Sequence, residues 1–423
     1  MLAPLAFVWM VVPELPRAVV ARAQDEEGST ERRDVAVSVV LVPEGNIDRA
    51  DLTRIEIGVR RGVGEIAGTR FVHPADSFSA QAVPEAVQAA AAELDAIAEA
   101  LRAGDAATAG QRARAAIDVF EANLETVRRA DLLDAYMLAA LADCERGAER
   151  RCTEGMQRVV VVRETFEYDP VRYPEAHLPL FERVREQLVV HGARGALEVH
   201  TEPPGAEVYV DGRSVGPSPA VVEGLLVGQH YVTVKALGYR KQVVRVEVND
   251  TFQERVDLEL VADDRERSLL LLRDLPRIRA EIGARRAGRF ISGLSAYLFV
   301  QQVVLGTVRR RDGRFALDLH VYDLRTRHRL AHRSVEVPGG EQTASRVRRI
   351  VAEMYRGVRL DGTVAPPDEG TGRRTQPLYA RWWFWTAVGV VAASGVVAVI
   401  VASSAPQASG PPPGFVRFDG RIE

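Results

Sequence analysis

The sequence predicts a multidomain α+β protein: a helical hairpin array, a β-sandwich-like domain, a small α/β domain and one C-terminal transmembrane helix. Three observations carry this. Apolar residues recur at three- and four-residue steps from Pro84 to about Val190, the period of a helix face. From 195 to 261 they alternate with polar residues between sharp turns, the period of a half-buried strand. Trp382 to Val401 is an uncharged run, about 30 Å long as a helix. A chain of 423 residues accommodates two to four domains of about 100–200 residues. Hydrophobic residues at 47% and charged residues at 27% exclude collagen-like and wholly disordered chains. The net charge of −3 hides a split: −16 over 24–264 against +11 over 265–362. The basic residues are 53 Arg and only two Lys, Lys235 and Lys241, which reads as genomic base bias.

In chain order, the first element is an apolar run, Leu2 to Val12, too short to span a bilayer and followed by Ala21-Arg22-Ala23. That is the pattern of a signal peptide over 1–23, cleaved before Gln24, although no basic residue precedes the run. A small α/β segment follows over 34–80. Residues 35–42 are rich in β-branched side chains and predict a strand, a short helix follows from Asp51, and Arg70-Phe71-Val72 predicts a second strand. Gly62-Val63-Gly64-Glu65-Ile66-Ala67-Gly68 has the look of a phosphate loop. The chain after Gly68 is extended rather than helical, so a turn is the better reading.

Residues 84–191 predict five helices. Stripes run through Ala90, Leu94, Ile97, Ala98 and Leu101; through Ala113, Ala116, Ile117, Phe120 and Leu124; and through Leu132, Leu133, Tyr136, Met137, Ala140 and Leu141. A fourth helix is expected over Thr153–Phe166 and a fifth from Pro174 through Leu188. Helices of similar length on short loops predict an antiparallel stack. It resembles degenerate tetratricopeptide repeats, with Ala at the close crossings and without the consensus aromatic and Gly positions.

The most specific pattern lies at 195–261. Pro203-Pro204-Gly205-Ala206, Asp211-Gly212, Gly216-Pro217-Ser218-Pro219, Gly228 and Gly238-Tyr239 punctuate short alternating strands. Asp211-Gly212 is a type I′ hairpin turn, and the glycines stand where the chain must reverse. These residues closely resemble the PEGA domain, with Pro204 in place of its Glu and Gly216-Pro217-Ser218-Pro219 in place of Gly-x-Thr-Pro. The resemblance implies a non-catalytic β-sandwich-like module common on bacterial envelope proteins, with no settled ligand. Pro203, Pro204, Gly205, Ala206, Asp211, Gly212, Gly216, Pro219, Gly228, Gly238 and Tyr239 are then structural motif positions.

Residues 265–362 are basic. They predict a helix over 265–282, strands at Gln302–Arg309, Phe315–Leu324 and Leu330–Val337 with a turn at Asp312-Gly313, and a helix striped by Val347, Ile350, Val351 and Met354. Val304-Leu305-Gly306, Val321-Tyr322-Asp323 and Val351 to Tyr355 are similar to the N-terminal α/β domain of the periplasmic Tol-system propeller protein. That similarity implies that the strand at 35–42 belongs to a layer of the same kind. A linker over 363–380 leads to the transmembrane helix at 382–401, headed by Tyr379, Trp382, Trp383 and Trp385 at the headgroup level. A disordered tail follows over 402–423. The signal peptide places the bulk of the chain in the periplasm. Arg373, Arg374 and Arg381, against Arg417 and Arg421, favour the opposite orientation.

No catalytic, cofactor-binding or metal-binding residues are predicted. The eight His lack His-Glu-x-x-His spacing and Cys neighbours, and no nucleophile elbow or Walker loop occurs. The Arg309-Arg310-Arg311 run and Arg346, Arg348 and Arg349 lack the interleaved aromatics of a nucleic-acid surface and predict a solvated face. Cys144 and Cys152 flank a turn at Gly147. A hairpin there brings Cα atoms within the roughly 4.4–6.8 Å of a disulfide, with two half-buried core thiols as the alternative. The expected protein is a non-catalytic, single-pass protein of the bacterial cell membrane, whose partner is an envelope protein or cell-wall polymer. Its alternative is a cytoplasmic tail-anchored adaptor that binds peptide and anionic lipid; an enzyme on an unrecognised fold is a third.

Overall fold

The computed structural model describes residues 34–79, 83–358 and 360. The expected signal peptide, linker, transmembrane helix at 382–401 and tail lie outside the described residues. Among the described residues no helix is long and apolar enough to cross a membrane. They fold as a mixed α+β structure in which two domains are inserted into a third.

Strand β1 (Val35–Glu44) is buried along most of its length, as a strand covered on both faces must be. Helix α1 (Arg49–Gly64) follows, then β2 (Thr69–Phe71) and α2 (Pro74–Ser79). The partner of β1 comes from the far end of the chain. Strand β10 (Gln302–Arg311) runs parallel to it, with Val40 opposite Leu305. Strands β11 (Arg314–Asp323) and β12 (His328–Pro338) complete a five-stranded sheet in the order β12-β11-β10-β1-β2. The segments expected as separate units at 34–80 and 265–362 are therefore one domain. The reason is energetic: β1 presents seven consecutive buried residues, and only a strand and helices from elsewhere can cover them.

Helix α10 (Gln342–Tyr355) packs beside α1 on one face of this sheet. A Cβ added at Gly58 would lie 2.6 Å from Val347 Cβ, and one at Gly62 2.7 Å from the Arg348 carbonyl. The two glycines let the helix axes approach, so the glycine stretch read as a turn begins inside a helix. Its 16 residues outrun the short helix expected. Helices α8 (Glu266–Glu281) and α9 (Arg289–Leu298), with Phe78 of α2, cover the other face through Leu271, Ile278, Ile291, Leu294 and Leu298. Some of the basic side chains of this domain pair with its own acids. Arg309 reaches Glu44 at 3.1 Å, Arg310 reaches Asp51 at 3.5 Å and Arg348 reaches Glu65 at 2.5 Å.

Between α2 and α8 lie the insertions. Helices α3 (Glu85–Arg102), α4 (Ala106–Glu121), α5 (Arg129–Glu145), α6 (Glu149–Val162) and α7 (Leu178–His191) pack in succession around one core. Helix α5 is central and buried nearly all round, and small residues set its crossings: a Cβ at Gly155 would meet Ala140 Cβ at 2.6 Å. Helix α6 starts four residues before the Thr153 expected, directly after the Gly147 turn. Residues 163–174 are irregular and held by the aromatic cluster of Phe166, Tyr168, Tyr173 and Phe181.

Seven strands then form two facing sheets: β3 (Arg194–Glu202), β4 (Glu207–Val210), β5 (Arg213–Pro217), β6 (Ala220–Leu226), β7 (Gly228–Lys235), β8 (Gln242–Val248) and β9 (Glu254–Glu259). One sheet has the order β6-β3-β9, the other β5-β4-β7-β8. Leu197, Val199, Val208, Val210, Val232, Val234 and Val248 fill the space between them.

Candidate functional site

In an isolated sandwich the outer residues of β4 and β7 would face water. Here Glu207, Tyr209, Tyr231 and Thr233 are buried as well, because the other two domains cover that face. Two polar networks make the joins.

The first join is to the helices. Tyr136 donates to Glu121 at 2.6 Å, and the Tyr231 hydroxyl lies 2.7 Å from that of Tyr136. Arg158 bridges Glu121 at 2.8 Å and Gln229 at 2.6 Å, and Arg245 donates to Glu121 at 2.8 Å. Burial alone would raise the Glu121 pKa, but the Tyr136 hydroxyl and the two guanidiniums hold it below the ordinary value. Beside this, His230 Nδ1 lies 2.6 Å from an Asp211 oxygen and Nε2 lies 2.6 Å from the Leu226 carbonyl. A carboxylate and a carbonyl only accept, so both ring nitrogens carry protons and the buried ring is an imidazolium. Burial works against that charge, yet the hydrogen bond and charge of Asp211 outweigh it, and the pKa is raised. Arg129 stacks over the Tyr231 ring at 4.6 Å and reaches Asp211 at 3.3 Å.

The second join is to α1 and α2. Gly205 has φ +91°, and a Cβ there would lie 2.6 Å from the Ala50 nitrogen. Thr53 Oγ1 donates to the Gly205 carbonyl at 2.7 Å, while Gly205 N donates to Ser218 Oγ at 2.9 Å. Arg60 and Ser214 both donate to Glu207, at 2.8 and 2.6 Å. Lys235 reaches Asp76 at 2.6 Å and lies over the Tyr209 ring; Lys241 lies 3.7 Å from the same carboxylate. Burial, with the Glu207 charge beside it, pushes Glu56 up to about 8. Burial and then Lys235 push His73 down to about 4. The chain's two lysines thus sit at one join, answering one aspartate.

The motif residues divide accordingly. Pro203, Pro204, Gly205 and Ala206 form the turn that docks on α1. Asp211 and Gly212 take φ of 50° and 81°, the two left-handed residues of the expected hairpin turn, and Asp211 faces Arg129. Gly216 has positive φ near the end of β5, and Pro219 follows a cis peptide bond just before β6. Gly228 abuts Val161 of α6, and Gly238 abuts Leu272 of α8; Tyr239 lies under Arg49 at 4.7 Å. Cys144 and Cys152 stand apart, joined in a disulfide between α5 and α6 with Cα atoms 4.9 Å apart. Sequence reading missed Glu121, His230 and Glu207, which carry the joins. His230-Tyr231 directly after the Gly228 turn was the one local signal.

A groove lies at one edge of the sandwich, beside the first join, with Arg245 common to both. Among the described residues, strands β8 and β9 are the outermost strands of their sheets, and each carries backbone groups with no partner strand. Between them runs this groove, of about 400 Å³ and lined by Val244, Val246, Val256 and Leu258, with Arg245, Glu247, Asn249 and Glu254 at its margins. Apolar floor, polar rim and free edges suit an extended chain that adds alongside a strand.

The seven strands form a small β-sandwich module set between two other domains. Residues 194–263 match the family model of the PEGA domain, which marks that part of the chain as a binding or interaction module. No curated protein matches the chain.

Proposed function

We propose that this is a non-catalytic, single-pass protein of the bacterial cell envelope that presents the β8–β9 groove to an extended partner. The partner is a segment of another envelope protein or a cell-wall polymer. The observation that carries the reading is that the PEGA module buries one outer face in its own chain while, among the described residues, this edge groove stays uncovered. The Cys144–Cys152 pair supports an oxidising compartment. So do the apolar run at 2–12 and Ala21-Arg22-Ala23, and the uncharged run at 382–401 supplies the anchor.

A photo-crosslinking residue at Val244, in protein expressed in its native membrane, is expected to yield a discrete adduct. The same residue at Val171, exposed on the helical domain, is expected to yield none. Equal adducts at both positions would remove the groove from the proposal. N-terminal sequencing of the extracted protein is expected to begin at Gln24; a chain beginning at Met1 with two free thiols would favour the cytoplasmic adaptor.

A further inference from the structure

A second cluster lies on the sheet of the α/β domain, remote from the groove in the chain. The register of β11 and β12 sets His320 directly opposite His332. The pleat places Asp318, two residues before His320, on the same face. The two imidazole rings stack with centroids 4.4 Å apart and planes 15° apart. Nε2 of His320 lies 3.0 Å from one Asp318 oxygen, and Nε2 of His332 lies 2.7 Å from the other. One nitrogen or oxygen from each of the three residues falls within 4.8 Å of the others, so a slight closing of the cluster lets one ion touch all three.

His320 is 1% exposed, and the packing around it fixes its ring with Nε2 toward Asp318. The surroundings also differ on the two sides. The α8–α9 connection closes over His320, where a Cβ at Gly283 would lie 3.9 Å from Cε1. Arg329 ties that connection to β12 by donating to the Gly283 carbonyl at 2.6 Å. His332 is exposed, so the other side opens to water. Two imidazoles and one carboxylate on adjacent strands, with room for solvent ligands, form the donor set of a three-ligand site for a borderline divalent ion. Rigid strands hold the three donors without help from loops.

We propose that Asp318, His320 and His332 bind a divalent transition-metal ion, with Zn²⁺ the best match to two nitrogens and one carboxylate. The ion sits between the two Nε2 atoms and the carboxylate, replacing the hydrogen bonds that now join them, and water completes its shell. It fastens β12, an edge strand, to β11. The sequence hid this site because no helical His spacing is involved. The ligands meet only through the turn between Asp323 and His328, which sets strand register.

The test is isothermal titration of Zn²⁺ into the untagged, detergent-solubilised full chain, together with His332→Ala, Asp318→Asn and, as a control remote from the cluster, His191→Ala. One ion per chain is expected in the wild type and the control, with affinity at least about tenfold weaker in each ligand variant, the scale on which even the outer partners of metal ligands act. Zn²⁺ should also raise the melting temperature of wild type and not of His332→Ala, whose exposed position permits folding. No stoichiometric binding by the wild type, or undiminished binding in both ligand variants, would overturn the proposal.

Discussion

Tyr136 of α5 and Tyr231 of β7 meet through their hydroxyl oxygens, 2.7 Å apart in a buried setting. Because Tyr136 donates its proton to Glu121, Tyr231 must donate to Tyr136. The chain of donors ends on a carboxylate that two arginines also hold. The helical domain and the PEGA module are joined by a directed polar link rather than by apolar contact alone.

Tyr136→Phe removes the middle of that link, leaving the Tyr231 hydroxyl without its acceptor and Glu121 without one donor. A loss of about 1–3 kcal/mol is expected in urea denaturation of the chain. Arg128→Ala, whose guanidinium is exposed and pairs with Asp131 within its own turn, should cost under about 1 kcal/mol.

Two glycines with positive φ should respond differently to substitution. Gly212 has open space around it, so Gly212→Asn is expected to change stability by under about 1 kcal/mol while Gly212→Val costs about 1–3 kcal/mol through strain. At Gly205 a side chain strikes the Ala50 backbone, so Gly205→Asn should cost more than Gly212→Asn and loosen the join to α1. Equal melting temperatures for the two Asn variants would contradict the packing described for Gly205.

The imidazolium of His230 makes stability depend on pH. Its folded pKa is raised above an unfolded value near 6.5. The contribution is therefore full below about pH 6.5 and is lost as pH rises through the folded pKa. Wild-type stability should fall from pH 6 toward pH 9 more steeply than that of His230→Gln, and the His230 ring should titrate above an ordinary histidine by NMR.

The joined Cys144 and Cys152 predict no alkylatable thiol in denatured protein before reduction and two after it. The closed loop is short, so reduction should cost about 2–3 kcal/mol in the chain-entropy model. It should act on the α5–α6 turn without releasing the PEGA module. Thiols that alkylate in unreduced protein would show that the bond does not form in the cell.

Local physics made much of this legible. The turns at Asp211-Gly212 and Asp312-Gly313 demand left-handed backbone that Gly and Asp supply, and both fall where expected. The PEGA strands, most of the helices and the β10–β11–β12 meander follow from period and punctuation. Pairings between distant segments leave no periodic trace. Nothing in residues 35–42 names β10 as a partner, and Gly58 and Gly62 are explained only by α10. Helix α9 was missed because it is short and interrupted by Gly293. The joins were illegible for the same reason: Glu121, Glu207 and His230 are ordinary polar residues until the tertiary fold supplies their partners.

The insertion has a consequence for how the chain acquires its structure. Strand β1 leaves the ribosome early and β2 soon after it, yet β10, which pairs along most of β1, lies 265 residues later, with Val37 opposite Gln302. At roughly 5–20 residues per second, the delay is on the order of tens of seconds. The helical and PEGA segments have time to fold in that interval, while β1, buried along most of its length in the finished sheet, waits with only the three-residue β2 beside it. The sheet closes only when β10 arrives, and until then the uncovered apolar surface of β1 is open to aggregation.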